Sequence, residues 1–139
     1  MRILILGDVV GSSGRKALKK NLSNIIQENE INFSVINGEN SADDGKGITQ
    51  EIAYEFFSAG IDVITSGNHI WDKSETASYI EKESRLLRPA NMAEGSPGKG
   101  YGIYFSKNKK YKFGVINLMG NVFMKKTEDV FKAVSYTHL

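Results

Sequence analysis

Ile61-Asp62-Val63-Ile64-Thr65-Ser66-Gly67-Asn68-His69-Ile70-Trp71-Asp72 is the stretch on which the fold turns. Four of its first five residues are β-branched, a run of strand length broken only by Asp62. A glycine-opened Asn-His turn follows, and the residues after it read as helix. A strand that stops at Gly67-Asn68-His69 sets an amide oxygen and a titratable imidazole at the edge of a sheet. Open α/β sheets bind ligands at the carboxyl ends of their strands. Two other strand ends carry the same kind of chemistry. Gly7-Asp8 follows Ile3-Leu4-Ile5-Leu6, and Gly38-Glu39-Asn40 follows Phe33 to Asn37.

Outward from that stretch the chain alternates strand and helix. Ile3 to Leu6 is an unbroken apolar run, which predicts a first strand covered on both faces. Leu18, Leu22, Ile25 and Ile26 repeat on one helical face and predict a helix over residues 15–29, with Ser12 or Ser13 as its cap. Phe33 to Ile36 predicts the second strand. Thr49 is placed to cap a second helix with Ile52, Ala53, Phe56 and Phe57 on its apolar stripe, and Gly60 suits the position just past its end. Asp72 with Glu75 predicts a capping box for a third helix over residues 73–83. This βαβαβα order implies an α/β fold with a parallel sheet. The pattern then changes to a hairpin, Tyr101 to Phe105 and Tyr111 to Ile116, around a tip at residues 106–110.

The composition limits the function classes. A chain of 139 residues is one domain by size. The net charge of +2 is too small for bulk electrostatic binding of nucleic acid. There is no cysteine, so disulfides and thiolate metal sites are excluded. No apolar run approaches the roughly 20 residues of a membrane helix. A cytoplasmic protein with no membrane partner is the expectation.

Asp8, Glu39, Asn40, Asn68 and His69 are the candidate site residues. Singly, Asp8 reads equally as a turn or capping aspartate, and Asn68-His69 as a turn with a satisfied histidine. Together they fall at the ends of successive parallel strands, and Asp, Glu, Asn and His suit a hard or borderline divalent metal. The spacing Gly7-x-x-x-Gly11-x-x-Gly14 offers a rival reading as a phosphate-cradling turn. It is not G-x-G-x-x-G, and no Gly-Lys-Ser/Thr follows. Close strand-to-helix packing accounts for these glycines more simply. Trp71 reads as core, Arg88-Pro89-Ala90-Asn91 as a structural loop, and Lys107 to Lys110 as a solvated hairpin tip.

Gly7-Asp8, Gly38-Glu39-Asn40-Ser41-Ala42 and Gly67-Asn68-His69-Ile70-Trp71-Asp72 resemble the motifs of the calcineurin-like metallophosphoesterases. Gly45 to Thr49, Leu87 to Asn91, Pro97 to Gly102 and Asn117 to Gly120 resemble one bacterial branch, the YmdB-type 2′,3′-cyclic-nucleotide 2′-phosphodiesterases. The resemblance implies an α/β/β/α sandwich holding two divalent metal ions, iron or manganese. It implies Asp8 and Asn40 at the first metal, Glu39 between the two and Asn68 at the second. It also implies a metal-bridging hydroxide as nucleophile and His69 as general acid. The substrate implied is a small cyclic nucleotide, or the 2′,3′-cyclic phosphate end of an RNA, opened to a 3′-nucleotide.

The same resemblance implies further metal-binding histidines in a second half of the domain. After His69 this chain has only His138. The expectation is therefore an N-terminal part of a metallophosphoesterase domain over residues 1–133, incomplete at its C-terminus, with 134–139 a non-matching tail of truncated or artefactual origin. Little or no activity, and exposed apolar surface that promotes homo-oligomers, follow from that expectation. The alternative from another class is a non-catalytic binding or scaffold module in RNA or protein regulation.

Overall fold

A computed structural model describes residues 1–124 and 126–135. Four parallel strands, β1 (Ile3–Asp8), β2 (Phe33–Asn37), β3 (Val63–Thr65) and β4 (Leu86–Leu87), lie in sequential order. Sequential order brings the carboxyl ends of β1, β2 and β3 side by side. Helices α1 (Gly11–Glu28) and α2 (Gln50–Ser58) connect them, and α3 (Thr76–Ile80) leads into β4. An antiparallel hairpin, β5 (Tyr101–Phe105) and β6 (Lys112–Ile116), forms a second sheet. The last described helix is α4 (Val130–Ser135), which spans the expected boundary at 133/134. Residues 136–139 of the expected tail lie outside the described residues.

Strand alternation divides the core into two. Ile36, Ile64 and Leu86 turn to one face and pack with Leu22 of α1 and Ile52, Ala53 and Phe56 of α2. Phe33, Val63 and Leu87 turn to the other face, against Phe113, with Val35, Tyr104 and Val115 around them. Phe33 and Phe113 stack with ring centroids 4.2 Å apart. The layers are therefore helices, parallel sheet and hairpin. Tyr101, Ile103 and Phe105 stand exposed on the outer face of the hairpin, so no described residues form a fourth layer there.

Several sequence expectations are corrected. β1 is covered on one face only. Leu4 and Leu6 pack toward the helices, whereas Ile3 and Ile5 are 43% and 76% exposed. Register pairs Ile3 with Phe33 and Ile5 with Val35, so both isoleucines share the face the hairpin covers over β2. The hairpin does not reach the edge strand. Helix α1 starts at Gly11, earlier than expected, and Ser12 and Ser13 lie inside it rather than capping it. Gly11 enters at φ +60, and its N–H donates to the Asn40 carbonyl (2.9 Å). Ile25, expected on the apolar face of that helix, is exposed.

Helix α3 is only five residues long and has no side-chain cap. The predicted capping box is not formed, because Asp72 pairs with His69 and Glu75 accepts from the Gln50 N–H. Thr49 does cap α2, accepting from the Ile52 N–H (3.2 Å), and Gly60 sits past its end at φ +108.

This division of the core has a direct consequence for stability. Phe33→Ala removes a stacked ring from the buried inter-sheet core and is expected to cost about 3–5 kcal/mol. Ile5→Ala, at an open position, is expected to cost well under about 1 kcal/mol. Urea unfolding of the two variants checks the contrast, and comparable losses would mean that β1 is covered on both faces.

Candidate active site

Local backbone geometry aims each strand end. In β1 the register steps from Leu6 opposite Ile36 to Asp8 opposite Asn37, so Gly7 is an extra residue. A bulge of this kind re-aims the side chain beyond it, and here that side chain is Asp8. The Val9 N–H donates to the Asn37 carbonyl (3.1 Å), which locks the turn to β2. After β2, Asn37 Oδ1 accepts from the Glu39 N–H (3.0 Å) and Ser41 Oγ donates to the Gly38 carbonyl (2.7 Å). These bonds fix the Gly38-Glu39-Asn40 turn. Asn40 Nδ2 then donates to Asp8 Oδ2 (2.8 Å), joining the first two strand ends.

The third strand end is joined to the second through Glu39. Its Oε1 accepts from the His69 N–H (3.0 Å). A Cβ at Gly67 would collide with both Glu39 carboxylate oxygens, so this position requires glycine for the carboxylate to lie there. Asn68 to Trp71 form a single 3-10 turn. Its foot is held by Asn117, whose Nδ2 donates to the Ser66 and Leu87 carbonyls (2.7 and 3.1 Å). Ser66 Oγ also donates to the Leu87 carbonyl (2.8 Å). His69 is half-buried, and its Nδ1 lies 2.7 Å from Asp72 Oδ2. A carboxylate at that distance takes the Nδ1 proton as a hydrogen bond, which leaves Nε2 pointing outward from the pair.

Asp8, Glu39, Asn40, Asn68 and His69 are thus brought to one edge of the sheet. Asp72 and Asn117 are the participants that sequence reasoning missed. Asp72 reads as a helix cap in the sequence; its spacing of three from His69 is the available signal. Nothing local in the sequence ties Asn117 to Ser66, because the two are 51 residues apart. Lys73 pairs with Asp44 (2.7 Å), holding that carboxyl below its ordinary range by hydrogen bond and tying the 43–47 loop to the site. Arg88 donates to the carbonyls of Ser96, Pro97 and Pro89, the structural role expected of its loop. Trp71 packs at the margin of the core.

The donor set can be tested against a metal. Asp8 Oδ2 and Glu39 Oε1 are engaged by N–H donors, which leaves Asp8 Oδ1, Glu39 Oε2 and the amide oxygens of Asn40 and Asn68 as open oxygen donors. All are hard ligands of the type divalent cations take. The glycine space at residue 67, filled by the Glu39 carboxylate, places that carboxylate between the second and third strand ends. By chemistry these are oxygen donors of the kind a hard divalent cation takes. Among the described residues, no group of three or more His, Cys, Asp or Glu side chains is gathered to hold a metal.

The fold is that of a phosphatase-type α/β protein. The structure superposes on a crystal structure of a hypothetical protein from Thermus thermophilus with TM-score 0.87 and 31% identity, covering 97% of this chain and 51% of that one. A novel phosphatase from Mycoplasma pneumoniae superposes with TM-score 0.85 and 29% identity, covering 96% and 48%. Residues 4–138 match the YmdB-like protein family, and the chain belongs to that family, within the metallophosphoesterase superfamily. The chain is 44% identical over 131 residues to the 2′,3′-cyclic-nucleotide 2′-phosphodiesterase of Bacillus subtilis (strain 168), over 94% of this chain and 48% of that protein. The chain spans about half the length of the relatives it matches.

If Gly67 is glycine for the sake of Glu39, Gly67→Ala will push the carboxylate aside while leaving the core intact. Calorimetric titration with Mn²⁺ should show affinity at least about tenfold weaker, a loss of the size seen when a ligand's support is disturbed. Unchanged affinity in a folded variant would exclude Glu39 as a ligand.

Proposed function

We propose that the chain carries phosphodiesterase machinery acting on 2′,3′-cyclic nucleotides, with Asp8, Glu39, Asn40 and Asn68 as metal-binding residues and His69 as general acid. The observation that carries this reading is the chain of contacts Asp8–Asn40 and Glu39–His69, which gathers three strand ends beside an imidazole oriented by a carboxylate. Relatedness to a cyclic-nucleotide phosphodiesterase supports the substrate class.

Bound divalent cations, iron or manganese in this reading, would supply charge neutralisation on the phosphate and a more acidic water. The chain's own residues do the rest. Asp72 fixes the imidazole through Nδ1, so that His69 holds a proton at Nε2 toward the departing oxygen. Water adds its oxygen to phosphorus and gives up one proton to solvent, the P–O2′ bond breaks, and the 2′ oxygen takes the His69 proton, which solvent then restores. The product is a 3′-nucleotide. Asp8, Glu39, Asn40 and Asn68 are too few side chains to complete two metal sites, so this reading expects slow turnover by this chain. A small cyclic nucleotide in the cytoplasm is the proposed substrate, with the cyclic end of an RNA as its polymeric counterpart. The open apolar residues of β1 and β5 favour self-association of this chain.

A second reading, a non-catalytic binding module, draws on the lack of a three-ligand cluster among the described residues. Hydrolysis separates the two. With Mn²⁺, 2′,3′-cyclic AMP is expected to yield 3′-AMP slowly, and His69→Ala should lower the rate by about 10²-fold or more. Turnover that ignores His69, or a 2′-AMP product, contradicts the proposed roles. Neither hydrolysis nor binding of the nucleotide leaves the binding-module reading in place.

A further inference from the structure

The loop after β6 places an apolar wall beside His69 that the hydrolytic reading does not use. The neck of this loop is built around one fully buried side chain. Asn91 Nδ2 donates to the Met119 carbonyl (2.7 Å), Thr127 Oγ1 (2.9 Å) and the Glu128 carbonyl (3.1 Å). Asn91 Oδ1 accepts from the Met119 N–H (2.9 Å). Asn121 Oδ1 ties the arms again, accepting from the Thr127 N–H and hydroxyl (2.9 and 2.6 Å). Beyond this neck, Phe123 sits at φ +60 with its ring wholly exposed.

Both features of Phe123 are unfavourable in the isolated chain. A bulky residue in the left-handed region costs about 1–3 kcal/mol, and a phenyl ring left in water forgoes the stabilisation of burial. Strained residues of this kind cluster at ligand clamps. Phe123, Met119 and Met124 line a cavity of about 400 Å³ whose remaining walls are Asn68, His69 and Asp72. One side is polar and suits a phosphoribosyl group. The other is a phenyl ring with two thioethers and presents no directional donor or acceptor.

We propose that this cavity is a base subsite, in which Phe123 stacks on the nucleobase of the cyclic nucleotide whose phosphate lies at His69; the proposal rests on the phosphodiesterase reading above. Stacking reads the π-face that every base shares, and the flexible thioethers adapt to purine or pyrimidine. The subsite therefore favours a base over none while discriminating weakly among bases.

Equilibrium binding separates this proposal from the reading beneath it. The probes are 2-aminopurine riboside 2′,3′-cyclic phosphate, followed by fluorescence quenching, and the base-free 1-O-methylribose 2′,3′-cyclic phosphate as competitor. The unmodified chain should prefer the base-bearing ligand by at least about fivefold. In Phe123→Ala that preference should fall toward unity and the quenching should be lost, while Phe123→Trp should retain both. An unchanged preference in Phe123→Ala overturns the base subsite but leaves the phosphodiesterase reading standing, since both ligands still bind. Failure of the unmodified chain to bind either ligand overturns both. Tighter binding of a dinucleotide ending in a 2′,3′-cyclic phosphate supports the subsite with an RNA end as its source, and equal binding supports it with a free nucleotide.

Discussion

The placement of the Glu39 carboxylate between the second and third strand ends is the constraint on which the site depends. One oxygen is held by the His69 N–H, and the carboxylate occupies the space that a side chain at Gly67 would need. A half-buried carboxylate without donors or a cation is costly. Here the backbone supplies one donor and leaves the other oxygen open. The same bond fixes the entry of the 3-10 turn that carries Asn68 and His69, so carboxylate placement and imidazole placement are one structural event.

That arrangement holds because the sheet beneath it is stiff where it matters. β2 and β3 are buried on both faces, by α1 and α2 on one side and by the hairpin on the other. β1 is held less fully, with Ile3 and Ile5 open, yet its carboxyl end is tied to β2 by the Val9–Asn37 backbone bond and by Asn40 on Asp8. The second sheet contributes to the site from its far end. Asn117, just past β6, reaches the Ser66 carbonyl under the His69 turn. The hairpin is thus a buttress for the edge that carries the candidate site as well as a cover for the core.

What was legible in the sequence followed from patterns that are local. Short runs rich in apolar and β-branched residues marked the strands, Thr49 and Gly60 bracketed α2, and the residues ending three parallel strands marked one edge of the sheet. What was not legible depends on distant partners. Whether β1 is covered on both faces turns on how far the hairpin extends, which no residue in β1 records. Asp72 suits a helix cap and a histidine partner equally well by spacing, and the short α3 decides for the second. β4 has only two residues, too few for a period. The loop that carries Phe123 is organised by Asn91, 28 residues before its nearer partner.

Paramagnetic broadening by Mn²⁺ of the amide signals in an NMR spectrum of this chain tests the central claim most directly, because it reports where a cation sits without requiring turnover. At substoichiometric Mn²⁺ the account predicts that the signals of Asp8, Glu39, Asn40, Asn68 and His69 are lost first, with those of the hairpin tip at residues 107–110 retained. Broadening centred elsewhere, such as on the Asp43-Asp44 loop, or no selective broadening at all, would contradict the assignment of these strand ends as a metal site.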